Sequence, residues 1–241
     1  VGVKNQTRYC KGVKGYSNHI VCIIPWYSSS DDWCSIPYYY NCKVTLRYRE
    51  LAVQCYDDLQ QTKSSLLSYP IGIITINLSF KTIVKMEGRP FQGLNDLQIL
   101  YLHGNELTSL HDGVFIGLSV LCLLDMNNNP LVQLDKDSFI GLIMLRKLDL
   151  SFNKLSILPV GCFRFVTNLQ ILKFNHNHQI VGLKESMDML TQLIDLDLNN
   201  NNLISLPETL FHDLHNLSRL GLSENKLDSL HSDQFRYVNN L

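Results

Sequence analysis

"LDLSFNKLSILP", residues 148–159, sets one asparagine, Asn153, into a run whose alternation otherwise reads as buried core. An amide side chain carries two donors and two acceptor lone pairs, and burying it without partners costs about 1–3 kcal/mol. Either Asn153 is exposed or something repeated along the chain satisfies it. The neighbouring stretches decide the matter. "ILYLHGNELTSL" from Ile99 and "LLDMNNNPLVQL" from Leu123 precede it; "DLDLNNNNLISL" from Asp195 and "RLGLSENKLDSL" from Arg219 follow. Asparagine recurs every 24 residues, at 105, 129, 153, 177, 201 and 225, with Leu100, Leu124, Leu148, Leu172, Leu196 and Leu220 in constant register before it.

A fixed period carrying L-x-x-L-x-L-x-x-N-x-L is the leucine-rich repeat pattern. Each repeat is one coil of a solenoid, and its L-x-L segment predicts a short strand stacked in parallel on the next. Leu148 and Leu150 then point inward, while Lys147, Asp149 and Ser151 point outward. Past the strand the backbone turns, and its inward amides and carbonyls lose their ladder partners. A stacked column of asparagines supplies those partners coil after coil, so Asn153 is expected to be buried and satisfied. The predicted architecture is a horseshoe-shaped leucine-rich repeat solenoid, with a parallel β-sheet on its concave face and irregular loops on its convex face.

Composition is ordinary for a globular chain of 241 residues, with 45% hydrophobic residues, 18% charged residues and a formal net charge of −1. Near-neutral charge argues against a dedicated nucleic-acid or membrane-surface footprint. No apolar run reaches the roughly 18–20 residues that span a bilayer. A chain beginning at Val1 fits a removed secretion signal or a trimmed start.

The cysteines divide the chain. Cys10, Cys22, Cys34, Cys42 and Cys55 fall in the first quarter, and only Cys122 and Cys162 lie in the repeats. Clustered cysteines outside the repeat predict a disulfide-stapled cap, residues 1–66, formed in an oxidising compartment. No C-x-x-C or H-x-x-x-H pairing supports metal instead. "CKVTLRYRELAVQC", from Cys42 to Cys55, alternates as a hairpin that a Cys42–Cys55 bridge would staple; the pairings of Cys10, Cys22 and Cys34 stay open, and five is odd. Sequons at Asn5, Asn77 and Asn216 point to the same extracellular setting.

Residues 67–241 read as seven coils and the start of an eighth. The first coil has Lys81 where asparagine belongs, as a terminal repeat does. Phe91, Phe115, Phe139, Phe163, Phe211 and Phe235 keep step on the convex side and predict a buried aromatic spine, with Met187 replacing phenylalanine in the fifth coil. In that coil Gln179 stands where leucine is expected and Ile180 comes one place late, which predicts a local bulge or a shifted loop. His176 and His178 beside Asn177 lack a third ligand and read as solvated histidines. The chain stops at Leu241 without a C-terminal cap, so it is expected to be part of something longer.

"GLNDLQILYLHGNELTSLHDGVFIGL" and "LRKLDLSFNKLSILPVGCF" resemble typical 24-residue extracellular leucine-rich repeats, and "LDLSFN" with the long cysteine-bearing cap resembles Toll-like receptor ectodomains. The repeat resemblance covers residues 69 to 241. It implies an innate immune pattern-recognition receptor that binds a microbial or endogenous ligand and forms a homo- or heterodimer for signalling. It also implies a location on the extracellular side of a membrane, at the cell surface or in an endosome, held there by a later membrane span. Secreted or cell-surface adhesion and matrix proteins, and variable-lymphocyte-type receptors, share the same coil and form the alternative.

The outward strand positions line the predicted concave face. Candidate ligand contacts are Tyr101, His103, Asp125, Asn127, Lys147, Asp149, Lys173, Asp195, Asp197 and Arg219. Seven strands at about 4.8 Å spacing span roughly 30 Å, which suits a protein or extended ligand better than a small metabolite. Asp125 and Asp149 stand one strand apart, but an open, wet sheet offers no cleft to shift their pKa values, and no nucleophile–base motif accompanies them. No enzymatic activity, cofactor or metal is expected. The acidic bias favours a basic partner surface over nucleic acid. A glycan on Asn77 would obstruct the face near the cap.

Overall fold

The computed structural model describes the backbone of residues 11–12, 19–22, 41–47 and 50–56, and residues 75–241 other than 179. Within the first quarter, β1 (Lys11–Gly12), β2 (His19–Cys22), β3 (Asn41–Arg47) and β4 (Glu50–Tyr56) form an antiparallel sheet in that order. The β3–β4 register sets position 42 opposite 55. The side chains of Cys22, Cys42 and Cys55, all of Cys10, Cys34 and Asn5, and the junction near residue 66 lie outside the described residues.

Nine short strands follow: β5 (Thr75–Asn77), β6 (Ile99–Tyr101), β7 (Ser109–Leu110), β8 (Leu123–Asp125), β9 (Gln133–Leu134), β10 (Lys147–Asp149), β11 (Ile171–Lys173), β12 (Asp195–Asp197) and β13 (Arg219–Gly221). Seven of them stack in parallel in the order β13-β12-β11-β10-β8-β6-β5, every pairing at the 24-residue offset of the sequence, as Leu148 beside Leu172. The central residue of nearly every strand is buried and its flanking residues are partly exposed, as alternation requires. Strands β7 and β9 pair on their own, and Ile157 bridges Val181 in the same direction two coils later.

The asparagine column sits where the strands end. Asn153 is 6% exposed, and its Nδ2 donates to the carbonyls of Met126 (3.2 Å), Leu150 (2.9 Å) and Ser151 (3.1 Å), while its Oδ1 accepts from the Leu131 N–H at 3.2 Å. Asn105, Asn129 and Asn177 repeat the scheme. Asn105 Oδ1 accepts from the amides of Lys81 and Ile83, which closes the column at its first coil without an asparagine at 81. Asn201 departs from it: Oδ1 accepts from the Asn177 N–H at 2.8 Å, but its buried Nδ2 has no partner.

On the convex side the phenylalanines stack in pairs, Phe91 on Phe115 at 6.0 Å and Phe139 on Phe163 at 5.6 Å between ring centroids, with Met187 fully buried in line. The fifth coil resolves its irregularity with a short helix, α1 (Leu183–Met187). Gly182 at its head has φ +87°, and a β-carbon there would lie 2.5 Å from the Leu158 carbonyl oxygen. Ile180 is buried, so the late apolar residue still reaches the core; Gln179 lies outside the described residues. Cys162 is a buried free thiol, whereas Cys122 is disulfide-bonded.

Candidate recognition surface on the concave sheet

The outward column of the sheet is anchored to the backbone before it meets any ligand. Asn77, Asp125, Asp149 and Asp197 each accept, through Oδ1, the N–H two residues further on, from Ser79 (2.9 Å), Asn127 (3.1 Å), Ser151 (3.0 Å) and Asn199 (3.1 Å). A short acceptor side chain at a strand end is the natural partner for an amide leaving the ladder. One oxygen of each carboxylate is thereby structural, and Oδ2 is left toward the concave side.

Around this column the side chains form three groups. His103 Nδ1 lies 3.0 Å from both Ser79 Oγ and Asp125 Oδ2. A serine–histidine–aspartate relay needs the two oxygens on different ring nitrogens; here they crowd one, so the contact orients the ring. Asp125 Oδ1 also accepts from Asn127 Nδ2 at 2.7 Å.

Asp149 stands beside Asp125 in register. Burial raises the Asp149 pKa above its ordinary 3.8, and the Asp125 charge adds to this, against the lowering effect of the Ser151 hydrogen bonds. For Asp149 the expectation that an open sheet leaves the carboxylate unshifted is therefore corrected: burial removes water from it.

The third group is an ion-pair cluster. Lys173 Nζ bonds both oxygens of Asp195 at 3.0 and 3.1 Å and approaches Asp197 Oδ2 at 3.9 Å, and Arg219 Nε bonds Asp195 Oδ2 at 3.1 Å. Asp195 was expected to face outward but is buried beneath its two cations, as its charge demands. Ser151, also expected outward, is buried and donates to Asn175 Oδ1. Lys147 is exposed.

Sequence reasoning missed the rim. The residue following each outward serine, histidine or asparagine has positive φ in every coil: Phe80 (56°), Gly104 (66°), Asn128 (53°), Phe152 (54°), His176 (56°), Asn200 (54°) and Glu224 (56°). Asparagine and glycine suit that conformation; an aromatic residue there is a rarity that carries strain. Phe80 is 70% exposed and Phe152 51%. The Phe152 ring lies flat on His176, with centroids 4.2 Å apart and planes 12° from parallel, so His176 is a stacked histidine and not a merely solvated one. The recurrence of asparagine at this position was the available signal. Among the described residues no three metal-ligating side chains come together, and no helix is long and apolar enough to cross a membrane. Asn77 is half-exposed at the edge of the sheet, and Asn216 is exposed on a loop, where its Nδ2 donates to the Thr191 carbonyl at 2.9 Å.

Similarity to known proteins follows the coil. No curated protein matches the chain. Among solved structures, the TLR13–ssRNA13 complex superposes with a TM-score of 0.47 at 25% identity, over 70% of this chain and 32% of that one. An internalin, InlF of Listeria monocytogenes, superposes at 0.55 and 22% identity, over 70% of this chain and 46% of that one. The chain thus spans less than half the length of either. A solenoid of this kind ordinarily serves as a scaffold for macromolecular contact. The leucine rich repeat family model matches residues 71–131, 123–179, 143–203 and 191–241, which together cover most of the chain, and the protein belongs to that family.

Proposed function

We propose that this chain is the ligand-recognition part of a Toll-like pattern-recognition ectodomain, lying on the extracellular side of a membrane. It binds a protein or microbial ligand on its concave face and dimerises for signalling. The observation that carries the recognition role is the Asp125–Asp149 pair, two in-register carboxylates that no lysine or arginine among the described residues salt-bridges, on a sheet wide enough for a macromolecule. Their charge favours a basic partner surface and disfavours nucleic acid there. The receptor role rests on the resemblance of the "LDLSFN" stretch and the cysteine-bearing first quarter to Toll-like receptor ectodomains. Glycans on Asn5 and Asn216 belong to the same reading.

Sequencing the native transcript past Leu241 tests it. An apolar span of about 20 residues followed by a cytoplasmic signalling domain supports the receptor. A stop codon soon after a cysteine cap replaces it with a secreted adhesion or matrix protein.

A further inference from the structure

We propose that Phe80, Tyr101 and His103 form an aromatic shelf that receives an arginine side chain of a protein partner, with Asp125 and Asp149 supplying the opposing charge. This rests on the concave face being the recognition surface and names the chemistry that the face selects.

The shelf is built, not incidental. Phe80 holds positive φ, and its ring lies across Gly104, where a β-carbon would strike it at 2.4 Å. The glycine therefore makes room for the ring one coil away. His103 meets Phe80 edge-on at 5.0 Å and Tyr101 edge-on at 6.2 Å. Ser79 and Asp125 both hold the imidazole through Nδ1, so the three rings keep a fixed arrangement. Phe80 nonetheless stays 70% exposed, a large apolar area left on the rim of a polar face.

Asp125, in register with Tyr101, lies beside the rings, and Asp149 follows one strand further on. Asp125 Oδ2 gives one of its lone pairs to His103, and Asp149 uses Oδ1 for the Ser151 amide. Both retain acceptor capacity, Asp125 next to the aromatic surface and Asp149 one strand beyond it. A planar guanidinium satisfies both features at once, stacking on a ring while its fork donates to a carboxylate; an ammonium supplies the charge without the plane. Lys173, in register with Asp149 on the next strand, is engaged by Asp195 and does not fill the position.

The test uses the whole chain with hexa-arginine and hexa-lysine peptides at low ionic strength, read by calorimetry. Hexa-arginine is expected to bind about three- to fivefold more tightly than hexa-lysine, the size of an exposed cation–π contact. Phe80→Ala and Phe80→Leu are both expected to abolish that preference, and because the ring is exposed neither should alter the thermal transition. Equal affinity for the two peptides, or a preference that survives both Phe80 variants, overturns the shelf. If Asp149→Asn still weakens both peptides in that case, the acidic concave face stands without the shelf. If neither peptide binds, both readings fall.

Discussion

Asp149 and Lys173 stand opposite each other in adjacent strands, in register, yet the Lys173 ammonium bonds Asp195, one strand further on, and leaves Asp149 without an ion pair among the described residues. Asp195 is the more buried carboxylate and demands the compensation first. The concave face is thereby split into a neutralised half at β11–β13 and an acidic half at β8–β10.

Folding raises the Asp149 pKa above 3.8, so the native state holds the proton more tightly than the unfolded chain and stability falls as pH climbs through that window. Asparagine keeps the oxygen that accepts from Ser151. Asp149→Asn is expected to stabilise the protein at pH 7, a gain that fades below the ordinary carboxylate value. Urea unfolding at pH 7 and pH 3.5 reads the difference; a less stable variant at pH 7 contradicts it.

The asparagine column is not uniform. Asn153→Ala strands the carbonyls of Met126 and Leu150 and the amide of Leu131, at a cost of about 2–4 kcal/mol. Asn201→Ala removes an amide whose Nδ2 already lacks a partner, so its cost is expected to be about half as large. Denaturant midpoints of the two variants give the comparison, and equal losses would show that Asn201 is as fully bonded as Asn153.

Gly182 and Gly161 both have positive φ, but only Gly182 has a carbonyl where a β-carbon would go. Gly161→Ala meets open space and should cost about 1 kcal/mol of backbone strain. Gly182→Ala adds the clash with Leu158 O and should cost at least ~2 kcal/mol more than that. Thermal melts of the pair separate strain from collision.

Burial pushes the Cys162 thiol up to about 12. Relative to an ordinary thiol, the reactive thiolate is then roughly a thousandfold scarcer at pH 8. Alkylation of the Cys162 peptide, followed by mass spectrometry, should be negligible in the native protein and rapid in denaturant. Native labelling at the rate of an exposed cysteine would place Cys162 outside the core.

The sequence by itself determined the coil. A 24-residue period leaves one way to bury Leu148 and Leu150 while satisfying Asn153, because each coil can only be completed by the next. Strand register, the asparagine column and the phenylalanine spine were therefore legible, and so was the outward placement of Tyr101, Asp125 and Asp149. What the period cannot state is how outward side chains share partners across coils. Lys173 choosing Asp195 over Asp149, the burial of Asp195 and Ser151, and the seating of Phe80 on Gly104 and Phe152 on His176 all involve residues one coil or more apart. Only tertiary structure decided these, because a repeat pattern constrains positions inside the core, where sterics and hydrogen bonding admit one solution. On the face, charges and rings choose among several neighbours by distance and burial.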